Sequence, residues 1–287
     1  WQRALALLSE MREAKLKPNV ISCNVGISAC EKGEQWQRAL ALSSEIRDAE
    51  LEPDAISYSA GISACEKGGQ WQRALALLTE MREAKLESDA ISYNAGISAC
   101  GKGERWQRAL ALLSEMWEVK LELDVISYSA GISACEKGEQ WQPALVLLWD
   151  MWGAKVERNI ISYSAGISAC EKGEQWQRAL ALLSEMQEVK LEPSVISYNA
   201  GISACEKGEQ WQRALALLRK MGEVKLEPDV ISYSGVVSAC EKGEQWQRAL
   251  ALLSEMREVK LEPTVISYSA GISACEKGEH GSGRWRC

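Results

Sequence analysis

The sequence predicts an all-α protein, an α-solenoid superhelix of stacked antiparallel helix-turn-helix repeats, and three observations predict it. Trp36 follows Trp1 by 35 residues, and the same spacing recurs along the chain. Within each 35-residue unit the apolar residues have the period of two helices, and glycine or proline separates these helices. The tryptophan column is Trp1, Trp36, Trp71, Trp106, Trp141, Trp176, Trp211 and Trp246.

The repeat sets the domain organisation, because every column keeps its register without insertion or deletion. Residues 20–264 form seven full repeats. Residues 1–19 supply the second helix of a partial repeat, and residues 265–279 supply the first helix of another. Residues 280–287 leave the pattern, and their glycines predict an irregular tail to which we assign no site.

The first helix of each unit is predicted from one apolar stripe. In the second copy Tyr58, Ile62 and Cys65 lie at i, i+4 and i+7, and 67–69, Lys-Gly-Gly, stops the helix. The Val-Ile-Ser-Tyr stretch that opens most units is rich in strand formers, but the stripe that follows it favours a helix. Gly61 and its equivalents cost roughly 1 kcal/mol each against alanine, so we expect stacking to stabilise these helices.

The second helix of each unit is predicted from a longer stripe. In the second copy the apolar positions begin at Trp71 and end at Met81, with Ala74, Leu75 and Leu78 between them. A proline follows several of these helices and blocks their continuation: Pro53, Pro193, Pro228 and Pro263. Pro143 falls in the first turn of such a helix, where it requires no kink.

Composition narrows the function classes. The net charge of −7 argues mildly against a surface that attracts nucleic acid everywhere. Eight of the ten cysteines recur once per unit without any CxxC pair, and His280 is the only histidine, so we expect buried thiols in a reducing compartment and neither a metal site nor a cofactor. No membrane span or targeting segment is visible, and the start at Trp1 in mid-unit suggests a fragment.

The unit reads Val-Ile-Ser-Tyr-Asn-x-Gly-Ile-Ser-Ala-Cys-x-Lys-Gly, then Trp-Gln-Arg-Ala-Leu-x-Leu-Leu-x-Glu-Met, then Leu-Glu-Pro-Asp. It closely resembles the pentatricopeptide repeat family in its plain 35-residue, P-type form, over residues 1 to about 280. The tetratricopeptide unit has 34 residues and a different signature. The resemblance implies a protein of mitochondria or plastids that binds single-stranded RNA, one base per repeat, in RNA processing or stabilisation. It implies neither a membrane nor a small-molecule substrate.

Two columns vary among short polar residues, and in the family these two columns choose the base. The fifth column contains Asn24, Ser59, Asn94, Ser129, Ser164, Asn199 and Ser234, and the last column contains Asp54, Asp89, Asp124, Asn159, Ser194, Asp229 and Thr264. An Asp carboxylate accepts the ring N–H of uracil or guanine, whereas an Asn amide suits the ring nitrogen of adenine or cytosine. The family rule implies the target 5'-UGUAAU(A/G)-3'. The alternative is that these residues only cap helices.

Two further columns complete the implied site. The second column is always isoleucine: Ile21, Ile56, Ile91, Ile126, Ile161, Ile196, Ile231 and Ile266. In the family such residues sandwich the bases, and the alternative is ordinary packing between repeats. The lysine column is suited to phosphates, and the alternative is solubility: Lys32, Lys67, Lys102, Lys137, Lys172, Lys207, Lys242 and Lys277.

Glutamate precedes this lysine in every copy except that of Gly101, on the helical face of the fifth column. We therefore expect weaker and more salt-sensitive RNA binding than a basic array would show. The tryptophans are expected in the core and not as base-stacking platforms. A protein-binding scaffold that grips a peptide or helix on its concave face is the alternative function. An enzyme is not expected, because the carboxylates recur identically in each copy and form no unique constellation.

Overall fold

The computed structural model describes residues 1–49 and 51–282, and these residues fold as helices connected by short turns. The chain divides into two compact units, Trp1–Gly138 and Glu139–Cys287. The first unit contains α1 (Gln2–Glu13), α2 (Val20–Lys32), α3 (Trp36–Asp48), α4 (Ala55–Lys67), α5 (Trp71–Glu83), α6 (Ala90–Lys102), α7 (Trp106–Glu118) and α8 (Val125–Lys137). The second contains α9 (Trp141–Gly153), α10 (Ile160–Lys172), α11 (Trp176–Glu188), α12 (Val195–Lys207), α13 (Trp211–Glu223), α14 (Val230–Lys242), α15 (Trp246–Glu258) and α16 (Val265–Ser282).

Each unit has two layers of helices. The first helices of successive repeats pack on one another, as α2, α4, α6 and α8 do in the first unit. Within each unit, second helices pack on the first helix of their own repeat and on that of the next, as α13 packs on α12 and α14. This arrangement confirms the prediction of an all-α solenoid of stacked helix-turn-helix repeats.

The first helices begin at a side-chain cap. Asp229 has extended backbone angles, and its carboxylate accepts a hydrogen bond from the backbone N–H of Ser232 at 2.8 Å. The Ser232 hydroxyl lies 3.2 Å from the backbone nitrogen of Asp229 and accepts its N–H. The same reciprocal pattern opens most of the first helices, and it satisfies N–H groups that have no partner within the helix.

The buried core follows the predicted stripes with small differences. Tyr58, Ile62 and Cys65 are buried, and so are Ala74, Leu78 and Met81. Leu77 is buried although it lies outside the predicted stripe, whereas Leu75 is only half-buried. Seven of the recurrent cysteines are fully buried, and Cys275 is partly exposed. The prediction that these cysteines are small core residues is confirmed for those seven.

The junction between consecutive repeats is a stack of three groups. A β-carbon added to Gly208, the C-cap of α12, would lie 2.2 Å from Cδ1 of Trp176 in the preceding repeat. On the following helix the guanidinium of Arg213 lies 4.4 Å from the centre of the Trp176 ring. Trp176 is half-buried in this stack. Gly208 does not have a left-handed backbone, because the positive φ of 58° belongs to the next residue, Glu209. The close approach of the Trp176 indole is therefore the reason for a glycine at position 208.

The last helix differs from the predicted boundary. The sequence places an irregular tail at 280–287, but α16 continues to Ser282. A glycine inside a helix costs only about 1 kcal/mol relative to alanine, and its backbone can still make the helical hydrogen bonds. A glycine therefore does not by itself end a helix. Residues 283–287 of the predicted tail lie outside the described residues.

One second helix presents an apolar outer face. Trp149 and Trp152 on α9 are 71% and 74% exposed, and Val146, one turn earlier, is also exposed. Pro143 lies in the first turn of α9, and the helix continues past it to Gly153, as the sequence predicts. In the part of the chain that the structure describes, no helix combines the length and the apolar character needed to cross a membrane.

Candidate functional site

The second column lies on the surface of the first helices. Its eight isoleucines are between 63% and 72% exposed, although the rest of the apolar stripe on these helices is buried. Ordinary packing between repeats, the alternative, leaves most of the surface of these side chains uncovered. Each lies at the second position of its helix, in the first turn. Within each compact unit these exposed isoleucines leave apolar surface available to a ligand.

The structure brings the fifth and last columns together. The amide nitrogen Nδ2 of Asn24 donates to Oδ1 of Asp54 at 2.9 Å, and Nδ2 of Asn199 donates to Oδ1 of Asp229 at 3.1 Å. Asn24 is buried and Asp54 is half-buried, whereas Asn199 and Asp229 are both half-buried. In the first and sixth copies a polar pair therefore accompanies an exposed isoleucine.

The serine copies have a related arrangement. The hydroxyl of Ser59 lies 3.4 Å from Oδ1 of Asp89, at the limit of a hydrogen bond. In the fifth copy Ser164 and Ser194 both contact the hydroxyl of Ser197, at 2.8 Å and 3.0 Å. Their two columns are thus linked through a third side chain.

The two remaining serine copies, the seventh and the fourth, differ from each other. In the seventh copy the hydroxyl of Ser267 lies 2.8 Å from that of Ser234 and 3.0 Å from that of Thr264. In the fourth copy Ser129 belongs to the first compact unit and Asn159 to the second. Asn159 caps α10 in the second unit.

The third column is a part of the site that the sequence analysis missed. The Ser57 hydroxyl donates to Oδ1 of Asn24 at 2.6 Å, and the Ser232 hydroxyl donates to Oδ1 of Asn199 at the same distance. This bond turns the amide so that its nitrogen faces the aspartate. The signal in the sequence was the invariant serine three residues after each last-column residue, which is the spacing of a capping box.

Three aspartates of the last column have a lowered pKa, and each faces an asparagine. Burial raises the pKa of Asp229, but hydrogen bonds from the backbone N–H and hydroxyl of Ser232 and from the Asn199 amide lower it by more. The same balance holds the pKa of Asp54 and Asp124 below the ordinary value. These carboxylates are ionised at neutral pH and can accept an N–H from a ligand.

The lysine column pairs with glutamates of the preceding repeat. Lys102 Nζ lies 2.7 Å from Oε1 of Glu66, and Lys207 Nζ lies 2.7 Å from Oε1 of Glu171. Equivalent pairs join Lys67 to Glu31, Lys242 to Glu206 and Lys277 to Glu241. In these five pairs the glutamate side chains are 15–24% exposed and the lysines 34–48%, so the ammonium groups are outermost. The glutamate that looked repulsive in sequence is partly neutralised.

The cysteines offer no reactive thiolate among the buried members. Burial raises the pKa of Cys65, Cys100, Cys170 and Cys205 to about 11 and that of Cys135 to about 12. A thiol of such pKa stays protonated and is a poor nucleophile or metal ligand. Within the described residues, no three His, Cys, Asp or Glu side chains are grouped so as to hold a metal ion.

Two solved structures share the fold of this chain. The maize pentatricopeptide repeat protein PPR10 is 21% identical, with a TM-score of 0.56 over 98% of this chain and 50% of that chain. Its complex with an 18-nucleotide psaJ RNA element gives a TM-score of 0.54 at 20% identity, with the same coverage of both chains. The chain thus spans about half the length of PPR10.

A third structure covers less of this chain. The pentatricopeptide repeat domain of Arabidopsis thaliana protein-only RNase P 1, in complex with tRNA, is 14% identical with a TM-score of 0.55. The match covers 63% of this chain and 95% of that one. No curated protein matches the chain.

Family models match most of the chain. The pentatricopeptide repeat domain matches residues 41–103, 146–208 and 216–277, and the single PPR repeat matches 91–121 and 196–226. Together with the constant repeat length and the stacked helical hairpins, these matches settle the family. The chain belongs to the pentatricopeptide repeat family.

Proposed function

We propose that the chain binds single-stranded RNA with one base per repeat and that its target is near 5'-UGUAAU(A/G)-3'. The observation that carries the proposal is the repeated combination of one exposed isoleucine with one hydrogen-bonded polar pair. Base faces need apolar surface, and base edges need donors and acceptors. The first and sixth copies supply both, with Asn24 bonded to Asp54 and Asn199 bonded to Asp229. The RNA complexes of PPR10 and of the RNase P 1 repeat domain support this choice of ligand.

Base choice follows from the polar pairs. In the sixth copy Asp229 uses its carboxylate to hold Asn199 and Ser232, and it is half-buried. Uracil presents a ring N–H to such an acceptor. Ser59 with Asp89 leaves more room beside the same acceptor, and we assign guanine to that copy. Ser129 with Asn159, and Ser164 with Ser194, replace the carboxylate by groups that suit adenine.

The isoleucines and lysines have supporting roles in the proposal. The isoleucine row sandwiches successive bases without sequence preference, and the lysine row faces the phosphates. Because five of the lysines are paired with glutamate, RNA must compete with a carboxylate at those repeats. The affinity is therefore modest and falls with rising salt.

The biological role that fits this activity is protection or remodelling of a transcript segment in a mitochondrion or plastid. Occupation of a short single-stranded site requires no catalytic step. Most carboxylates of the chain recur from copy to copy, so they do not mark out one repeat as a single reaction centre. We accordingly propose a binding protein and not an enzyme.

Fluorescence anisotropy with short labelled RNAs tests the proposal. The strand UGUAAUA should bind more tightly than a scrambled strand of the same composition. Asn199→Ser recreates the Ser-Asp pair of the second copy, so it should shift the sixth base preference from U to G. UGUAAGA is then the better ligand, and the wild-type protein measured with both strands is the control. Equal affinity for all strands, or none, would refute sequence-selective binding.

Protein binding is a second candidate function, and the outer face of α9 favours it. Trp149 and Trp152 are exposed where the next copy has Ser184 and Gln187. Indole side chains on an accessible face are typical of protein interfaces. This face would be the functional surface if two results were obtained together: a protein partner stays bound after nuclease treatment, and none of the RNA strands binds.

A further inference from the structure

The ion-pair row has a gap in the third and fourth copies. Gly101 occupies the position at which the second copy has Glu66, and α6 therefore presents no carboxylate to the next repeat. Lys137 on α8 is the lysine that would face it. Lys137 is exposed and has no ion pair among residues 1–49 and 51–282. Lys32 also has no ion pair among these residues.

The neighbouring repeats show what the groups at this position bind. Lys102 and Ser98, four residues apart on α6, both contact Oε1 of Glu66, at 2.7 Å and 2.8 Å. Lys207 and Ser203 bind Glu171 in the same way. Lysine and serine on one helical face thus form a two-donor site for an anionic oxygen. In the fourth copy the equivalent donors are Lys137 and Ser133, and Gly101 gives them no carboxylate.

Close helix packing accompanies the gap. Gly101 is buried, and a β-carbon there would lie 3.1 Å from Cβ and 3.2 Å from Cα of Ala134 on α8. A contact this short to backbone and Cβ atoms cannot be relieved by rotating a side chain. The present packing of α6 on α8 therefore disfavours glutamate at position 101, so the missing charge is part of how these two repeats fit together.

We propose that Lys137 and Ser133 form a stronger phosphate site than the glutamate-paired lysines of the chain and anchor the RNA backbone at the fourth repeat. The inference rests on the proposed RNA-binding function. At Lys67, Lys102, Lys207, Lys242 and Lys277 a phosphate must displace a glutamate that remains close to it. At Lys137 the phosphate takes the place that the carboxylate occupies in the other copies. A single-strand contact of this kind contributes about 0.7 to the slope of log affinity against log salt.

The test compares Lys137→Gln with the double variant Glu66→Gln/Lys102→Gln, which removes a whole ion pair without changing the net charge. Anisotropy with UGUAAUA is measured from low to physiological salt. Lys137→Gln should weaken binding roughly fourfold at 0.15 M salt and reduce the salt slope by about 0.7. The double variant should reduce the slope by clearly less than Lys137→Gln does, because Glu66 already competes with phosphate for Lys102 in the wild-type chain. Circular dichroism and thermal melting verify that each variant is folded.

Two further variants test the gap from opposite directions. Glu66→Gln frees Lys102, so binding should tighten and the slope should steepen by about 0.7. Gly101→Glu should weaken binding as Lys137→Gln does, provided that its melting curve shows a folded chain. Equal effects of Lys137→Gln and of the double variant would overturn the anchor while leaving RNA binding intact. A wild-type chain that binds no RNA would instead overturn the proposed function.

Discussion

The two ends of helix α12 use apolar groups in opposite ways. At its C-terminal end Gly208 is pressed against Trp176, and the indole is covered on its other side by Arg213. Near its N-terminal end Ile196 is 68% exposed. The first contact joins one repeat to the next, whereas the second contacts little of the protein. A repeat therefore stabilises its neighbour at one end of the helix and keeps surface for a ligand at the other.

Substitution at the junction between repeats should have the largest effect on the free energy of unfolding. Gly208→Ala places a methyl group 2.2 Å from Trp176 Cδ1, so the stack must open. Overpacking of this kind costs about 1–3 kcal/mol, and urea unfolding measures it. Gly222→Ala in α13 is the matched control, because nothing lies within 4 Å of an added methyl group there. The control should stabilise the protein by roughly 1 kcal/mol through helix propensity. Equal effects of the two variants would contradict a steric role for Gly208.

Removal of the N-terminal cap of a first helix should have an intermediate effect on the free energy of unfolding, and this effect should depend on pH. Asp229→Ala removes the hydrogen bonds to Ser232 and should lower the unfolding free energy at pH 7 by about 1 kcal/mol. The pKa of Asp229 is lowered in the folded state, so this contribution is complete above the unfolded pKa of about 3.9 and is lost as pH falls through the folded value. Urea unfolding at neutral and acid pH should show the difference between variant and wild type shrinking in acid.

Glu227→Ala, an exposed carboxylate two residues earlier, is the control for the cap and should change stability little. A difference between Asp229→Ala and wild type that is the same at both pH values would mean that ionised Asp229 does not contribute through these hydrogen bonds.

Substitution at the exposed end should have the smallest effect on stability and a selective effect on binding. Ile196→Ser should leave the melting temperature almost unchanged, because the side chain is mostly exposed. It should weaken RNA binding by about 1 kcal/mol, roughly fivefold, through lost contact with base faces. Val189→Ser is the control, since Val189 is an exposed apolar residue after the second helix α11. Identical RNA affinities of Ile196→Ser, Val189→Ser and wild type would exclude the isoleucine row from binding.

The sequence by itself determined the repeat, its two helices, the burial of most recurrent cysteines and the columns in which polar residues vary. These properties follow from local periodicity, because a stripe at i, i+4 and i+7 specifies one face of a helix. The pairing of the fifth and last columns was expected only from the family, and the structure brings Asn24 to Asp54 and Asn199 to Asp229.

Only the tertiary structure decided which neighbours these faces meet. Glu66 and Lys67 are adjacent in sequence, yet Lys67 pairs with Glu31 and Glu66 pairs with Lys102. Gly208 looked like a helix stop, and packing shows that it makes room for Trp176. The exposure of Ile196 and the gap at Gly101 also depend on contacts between residues about one repeat apart. Such contacts depend on the distance and angle between stacked helices. The apolar period of a single helix does not specify that distance or that angle.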